Sequence, residues 1–186
     1  MENIKDYKIL LLSCCAPCSC AVINKLHQDG ANFTVAFYNP NIFPEAEYIK
    51  RRDEQKKLCQ DWNIDFIELE YNHKDWLQMA LPYKDEPERG KRCSLCFEFR
   101  LKRVMEYAKE NGYDCVASVL GVSRWKNLKQ VNQAAYNASI ATNVQYLEIE
   151  GRKNGMQETR SLLIKSLNLY NQKYCGCPFS MQKEDK

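Results

Sequence analysis

Six of the ten cysteines in this 186-residue chain form three close pairs, in short segments that are far apart in the sequence. The segments carry the pairs Cys14 and Cys15, Cys93 and Cys96, and Cys175 and Cys177. Thiolates bind zinc and iron–sulfur clusters, and paired thiols carry reducing equivalents. A fold that gathers the three segments would hold a metal–thiol redox centre.

The length predicts one domain, residues 1–186, that ends in the Cys-Gly-Cys tail. No apolar run reaches the roughly 18 residues of a membrane helix, so we expect no membrane segment. The polar stretch Met1–Lys8 is unlike a signal peptide, and we therefore expect a cytoplasmic protein with reduced thiols. Ten cysteines in that compartment favour metal binding or catalysis over a disulfide scaffold.

Apolar runs and helix-forming segments alternate along the chain. Strands are predicted over 9–12, 33–38, 65–69, 115–120 and 144–149, and helices over 21–28, 45–62, 76–81, 95–111, 127–139 and 159–167. This alternation predicts an α/β fold, a single Rossmann-like domain with a parallel sheet of about five strands flanked by helices. Ligands bind such sheets beyond the carboxyl ends of the strands, and the Cys14–Cys15 turn follows the first strand.

Cys93 and Cys96 are three residues apart at the start of a predicted helix, so both sulfurs can face one metal. Cys14 and Cys15 are the nearest candidates for the second half of the site. Four thiolates fit structural zinc and a [4Fe–4S] cluster equally well, and spacing alone leaves both open.

Cys175-Gly176-Cys177 has a different character. Two cysteines this close form a strained and easily reduced disulfide, so the natural interpretation is a two-electron dithiol switch. A further pair of metal ligands is the alternative. Cys18 is a candidate spare ligand or a resolving thiol for Cys15.

Other candidates are single residues. Asp85 precedes Cys93 and could act as a general acid or as an oxygen ligand to a metal. The aromatic rings of Tyr38, Trp125 and Tyr170 could stack on an RNA base, although each alone is more typical of core or rim positions.

Several segments together resemble one known family, the cobalamin-independent QueH-type epoxyqueuosine reductases. They are Cys14-Cys15-Ala16-Pro17-Cys18, Phe37-Tyr38-Asn39-Pro40-Asn41-Ile42, Glu47-Tyr48 with Arg51-Arg52, Asp85-Glu86-Pro87-Glu88, Arg92-Cys93 with Cys96-Phe97 and Arg100-Leu101, and Tyr174-Cys175-Gly176-Cys177. They span nearly the whole chain in order, and their combination is highly specific.

The resemblance implies a Rossmann-like (HUP-like) fold and reduction of epoxyqueuosine to queuosine at the wobble position of tRNA. It implies Cys14, Cys15, Cys93 and Cys96 as ligands of a [4Fe–4S] cluster, and Cys175 and Cys177 as the redox-active pair. It is this resemblance that favours iron–sulfur over zinc.

Removing the epoxide oxygen as water needs two electrons and two protons. We expect the Cys175 and Cys177 pair to store or deliver the electrons, and Asp85 or a water to supply the acid. A four-cysteine cluster has no open iron, so either it only transfers electrons or a second iron binds nearby. The electron donor is unidentified.

The tRNA would be held by basic side chains, with Arg51, Arg52, Arg124 and Lys126 as candidate phosphate contacts and Tyr38 as a base contact. Two other functional classes remain. One is a zinc-stabilised RNA-binding module without catalysis, and the other is a thiol–disulfide oxidoreductase acting on proteins.

Overall fold

The computed structural model describes residues 4–181, so residues 1–3 and 182–186 of the predicted domain lie outside it. Five parallel strands form one sheet in the order β3-β2-β1-β4-β5. The strands are β1 Lys8–Ser13, β2 Asn32–Phe37, β3 Asp65–Glu68, β4 Cys115–Ser118 and β5 Gln145–Leu147.

Six α-helices accompany the sheet. They are α1 Ala16–Gln28, α2 Glu45–Asp61, α3 His73–Ala80, α4 Lys91–Glu110, α5 Leu128–Thr142 and α6 Met156–Ser166. The predicted fold class, a Rossmann-like parallel sheet of five strands flanked by helices, is confirmed. Within residues 4–181, no helix is both long enough and apolar enough to cross a bilayer.

The central strand explains why the sheet is covered on both faces. Ile9, Leu10, Leu11 and Leu12 in β1 are completely buried. In a strand, successive side chains point to opposite faces, so a continuous apolar run needs packing on each side. The five-residue burial of β1 therefore requires helices on both sides of the sheet.

Four of the helices begin earlier than the sequence predicted, and the changes in α1 and α4 affect cysteines. α1 begins at Ala16, because Pro17 is well suited to the first turn of a helix. α4 begins at Lys91, directly after its N-cap Gly90. Cys18 therefore lies in the first turn of α1, and Cys93 lies in the first turn of α4.

A buried polar network fixes the strand end that precedes the first cysteine pair. The Gln55 side-chain oxygen accepts hydrogen bonds from Ser13 Oγ at 2.6 Å and from Ser19 Oγ at 2.7 Å. The Gln55 amide in turn donates to Cys59 Sγ at 3.5 Å. All of these residues are fully buried, so Gln55 of α2 ties the end of β1 to the start of α1.

Replacing Gln55 with leucine should lower the free energy of unfolding by about 2–4 kcal/mol, because two buried hydroxyls lose their acceptor. Urea unfolding followed by circular dichroism measures the change. The exposed neighbour Lys56→Ala is the matched control and should change stability by less than about 0.5 kcal/mol. Equal stability of the two variants would contradict the role assigned to Gln55.

Candidate redox-active cysteine site

A cavity of about 540 Å³ opens at the carboxyl edge of the sheet. Its wall includes cysteines from all three segments, namely Cys14, Cys18, Cys93, Cys96, Cys175 and Cys177. Parallel strands end at the same edge, which brings the turn after β1 close to segments that follow other strands. The three cysteine segments therefore meet in the fold.

The turn after β1 and the start of α1 supply a compact thiol triad. The sulfur atoms of Cys14, Cys15 and Cys18 all lie within 4.8 Å of one another. Hydrogen bonds from the Cys15 and Cys18 thiols hold the pKa of Cys14 well below its usual range. Burial raises the pKa of Cys15, so Cys14 is the first of the three to ionise. Cys18 Sγ makes its hydrogen bonds with the two neighbouring thiols.

The first turns of α4 supply the second pair. Cys93 is half-buried and Cys96 is buried, and burial raises the pKa of both thiols. Both side chains line the cavity, as their spacing on one helix face predicts. A bound cation would reverse this pKa shift, because metal-bound thiols are deprotonated.

The protein surrounds these sulfurs with N–H donors, which is what anionic metal-bound thiolates require. Each of the four sulfurs that the sequence resemblance implied as ligands accepts one such hydrogen bond. Lys126 Nζ donates to Cys14 Sγ at 3.9 Å, and Gln172 Nε2 donates to Cys15 Sγ at 2.6 Å. The Arg89 amide nitrogen donates to Cys93 Sγ at 3.3 Å, and Trp76 Nε1 donates to Cys96 Sγ at 3.2 Å. The donor set therefore fits a thiolate-ligated metal cluster.

Buried positive charge is the second feature that fits an anionic group. Arg92 and Arg100 are almost completely buried and line the cavity. Arg92 donates to three backbone carbonyls, and Arg100 donates to the Tyr38 carbonyl and the Asn39 side chain. Burial acts to lower the pKa of Lys126, but attraction to negative charge on the nearby sulfurs, Cys14 above all, outweighs it and the pKa is raised. These cations favour negative charge on the sulfurs.

The Cys-Gly-Cys segment is fastened to the body of the protein on either side. Arg51 donates to the Tyr174 carbonyl at 3.2 Å, and the Phe43 amide donates to the Gly176 carbonyl at 2.9 Å. Gly176 has φ +101°, and an added Cβ would lie 2.7 Å from Ile42 Cγ1. Only glycine fits this position without strain.

Cys175 and Cys177 are chemically unequal. The Cys177 thiol donates to Cys175, and this hydrogen bond is the main reason why the pKa of Cys175 falls to about 5. The same contact raises the pKa of Cys177. Cys175 is therefore the thiolate at neutral pH, and Cys177 is its proton-bearing partner.

Asp85 does not reach this cavity in the structure. It is exposed, and the carboxylate that lines the cavity from the same loop is Glu88. The acid role of Asp85 stays a prediction, and Glu88 is better placed for it.

The basic residues chosen from the sequence occupy different environments. Arg51 is buried and ion-paired with Glu47 at 2.7 Å, and its role as a phosphate contact stays a prediction. Arg52 is engaged with Asp53 and Glu68. Lys126 reaches into the cavity toward Cys14, and Arg124 is exposed outside the cavity wall.

The three aromatic candidates also lie in different environments. Tyr38 is completely buried, and its hydroxyl donates to Asn72 Oδ1 at 3.0 Å, so its ring is not available to stack on a base in this conformation. The Lys50 ammonium lies 3.3 Å from the centre of the Tyr170 ring and occupies its face. Trp125 is 73% exposed and lines the cavity.

Comparison with known proteins identifies the family. The family model described as epoxyqueuosine reductase QueH matches residues 9–183. A protein of that name from Histophilus somni is 41% identical over 180 residues, which cover 96% of this chain and 74% of that protein. The protein of that name from Acinetobacter baylyi is 39% identical, and the match covers 96% of this chain and 83% of that protein. The one from Thermotoga maritima is 33% identical, and the match covers 93% of this chain and 90% of that protein.

The chain belongs to the epoxyqueuosine reductase QueH family. The resemblance inferred from the cysteine segments is confirmed, and so is the prediction that the chain is an enzyme. The zinc-stabilised binding module and the protein thiol–disulfide oxidoreductase are not favoured by these matches.

Solved structures give the same fold at lower identity. The U34-tRNA thiolase NcsA from Methanococcus maripaludis, solved with its [4Fe–4S] cluster, superimposes with a TM-score of 0.62 at 20% identity, covering 98% of this chain and 63% of that chain. A predicted subunit of tRNA methyltransferase from Methanocaldococcus jannaschii has a TM-score of 0.55 at 14% identity, covering 83% of this chain and 74% of that chain. Both show the α/β fold of the QueH-family chain.

Sequence reasoning missed the residues that surround the sulfurs. Trp76 of α3 donates to Cys96 although it is far from any cysteine in the sequence, and Gln172 of the tail donates to Cys15. Asn171 and Lys173 line the cavity beside Gln172. Their proximity to Cys175 in the chain was the one signal that could have suggested them.

The pKa difference within the tail predicts a pH profile for alkylation. Cys175 should react with iodoacetamide from about pH 5 upward, because its thiolate persists down to that pH. In Cys177→Ala the donor is lost, so the pKa of Cys175 should rise and the profile should move to higher pH. Mass spectrometry of the peptide that contains Cys175 measures both profiles, and coincident profiles would contradict the assignment.

Proposed function

We propose that this QueH-family enzyme reduces epoxyqueuosine in the anticodon of tRNA to queuosine, with a [4Fe–4S] cluster and the Cys175 and Cys177 pair in one cavity. The observation that carries this is the convergence of three cysteine segments on a cavity with buried cations, in a chain of the reductase family. A protein without redox chemistry has no need for both a thiol triad and a fastened dithiol at one site.

Cys14, Cys15, Cys93 and Cys96 would hold the cluster. Each has an N–H donor on its sulfur. The sulfur of Cys18 bonds to the neighbouring thiols of the triad and has no such donor among residues 4–181, so Cys18 is assigned as a spare thiol. The [4Fe–4S] cluster of the neighbour NcsA supports iron over zinc in this fold. When bound, the cluster supplies one-electron transfer between an external donor and the site.

The tail pair supplies two electrons in one place. Cys175 as thiolate and Cys177 as thiol become a disulfide and release two electrons and one proton. Opening the epoxide, expelling its oxygen as water and forming the alkene consumes two electrons and two protons. The disulfide is then reduced again by the external electron donor, which is the unidentified partner.

The second proton must come from the cavity or from solvent. Glu88 and Lys126 both line the cavity, and Lys126 is kept protonated by the thiolates around it. If a second iron binds beside the cluster, a carboxylate of the 85–88 loop would complete its ligands, and Glu88 already faces the site.

The tRNA would approach the cavity from its open side. Three further basic residues, Arg89, Arg160 and Lys173, line the cavity. Their charge attracts phosphates and makes binding depend on salt. We therefore assign the tRNA phosphate contacts to these three residues at the cavity instead of to Arg51 and Arg52 of α2.

Loss of a ligand should remove the metal. Cys14→Ala and Cys93→Ala, purified without oxygen, should retain much less iron and acid-labile sulfide than the wild type. Cys59→Ala is the matched control, since Cys59 is a fully buried cysteine that bonds to Gln55 and should leave the iron content unchanged. Wild-type iron content in Cys93→Ala would remove α4 from the metal site.

Loss of either tail thiol should stop the reaction without releasing the tRNA. Cys175→Ser and Cys177→Ser, assayed separately by mass spectrometry of nucleosides from digested tRNA, should form no queuosine, because neither serine can join a disulfide. Iron content and tRNA affinity should stay at wild-type values, with Cys115→Ala as the control of unchanged activity. Full activity in both tail variants would exclude the dithiol step.

A further inference from the structure

Trp125 stands out among the tryptophans of the chain. It is 73% exposed, while Trp76 is completely buried and Trp62 is half-buried. It lies in the loop between β4 and α5, and its side chain contributes to the wall of the cysteine cavity. An aromatic ring of this size, exposed beside a cavity, is a natural contact surface for a flat ligand.

The backbone beside the ring is held from two directions. Arg89 donates to the Trp125 carbonyl at 2.9 Å. Arg152 donates to the Ser123 carbonyl and to the Lys126 carbonyl, both at 2.7 Å. The loop is thus fixed on both sides of Trp125 while the ring itself is open to solvent. A fixed backbone lowers the entropy that is lost when a ligand stacks on the ring.

Unpartnered polar atoms in the same cavity are an independent observation. The side-chain oxygens of Asn41, Gln130 and Gln172 are buried, line the cavity and have no hydrogen-bond partner within residues 4–181. Asn41 is only 4% exposed. Buried amide oxygens without donors are rare in proteins, so a ligand that carries N–H or O–H groups is indicated.

The orientation of these amides follows from their nitrogens. Asn41 Nδ2 donates to the Cys175 carbonyl at 3.5 Å, and Gln130 Nε2 donates to the Arg89 carbonyl at 3.0 Å. A backbone carbonyl can bond to the nitrogen of a side-chain amide but not to its oxygen. The nitrogen of each side chain therefore faces the carbonyl, and its oxygen is left without a partner. The cavity therefore offers acceptors, a flat ring and positive charge together.

We propose that Trp125 is the stacking platform for an unstacked nucleobase of single-stranded RNA at the mouth of the cysteine cavity. This rests on the proposed function and deepens it, since it says how the enzyme holds the anticodon. The amide oxygens of Asn41 and Gln130 accept hydrogen bonds from the donor groups of the inserted nucleotide. Arg160 and Lys173 lie on the same cavity wall and attract its phosphates. An apolar peptide would satisfy neither the acceptors nor the cations.

Binding of an anticodon stem-loop RNA tests the platform. Trp125→Ala should weaken binding about 5- to 100-fold, as for the loss of one aromatic stacking partner, and Trp125→Phe should retain most of the affinity. The slope of log affinity against log salt concentration should not change, because no phosphate contact is lost. In the reductase assay, the KM for tRNA should rise with little change in kcat.

The same experiment has an optical readout and controls. Stem-loop RNA should quench the tryptophan fluorescence of the wild type and of Trp62→Phe, but should quench that of Trp125→Phe much less. Ile140→Ala removes a side chain that is 83% exposed on α5 outside the cavity wall, and its affinity should equal that of the wild type. Circular dichroism of each variant confirms that it is folded.

Two kinds of failure are distinguishable. The stacking platform is wrong if Trp125→Ala binds the stem-loop as tightly as the wild type does. It is also wrong if the substitution weakens binding of fully double-stranded RNA by the same factor. Neither result contradicts the proposed reductase activity. If the wild type neither binds the stem-loop nor forms queuosine, the proposed function itself is wrong.

Discussion

The site depends on the attraction between buried cations and thiolates. Arg92, Arg100 and Lys126 lie at the cavity and, within residues 4–181, form no ion pair with a carboxylate. Burying a guanidinium without an anion is costly, even when neutral oxygens accept its hydrogen bonds. Negative charge on the cysteine sulfurs compensates that cost. A cysteine cavity with neutral walls would favour thiols and would be less suited to hold a metal.

Ion pairs and hydrogen bonds also hold the tail segment at the cysteine site. Arg51 pairs with Glu47, and it also fastens the segment that carries Cys175 by its bond to the Tyr174 carbonyl. Gln172, three residues before Cys175, reaches Cys15. The segment that carries Cys175 is thus tied both to α2 and to the first cysteine pair.

Much of the fold was predictable because its signals are local. The apolar run of β1 and the spacing of Cys93 and Cys96 depend only on neighbours in the sequence, and the structure has both as expected. The surroundings of the sulfurs were not predictable, since Trp76 and Gln172 reach them through tertiary contacts. Tyr38 and Arg51 stay predictions as tRNA contacts, although both side chains are buried in the structure. Sequence shows that a ring or a cation is present, but only packing decides whether it is exposed.

An anaerobic absorption spectrum of the wild-type protein, with assays of iron, zinc and acid-labile sulfide, shows directly whether the cysteine site holds an iron–sulfur cluster. We expect a brown protein with iron and sulfide in equal amounts, whose broad visible absorbance is bleached by a reductant. A colourless protein that contains zinc, with a spectrum unchanged by the reductant, would contradict it.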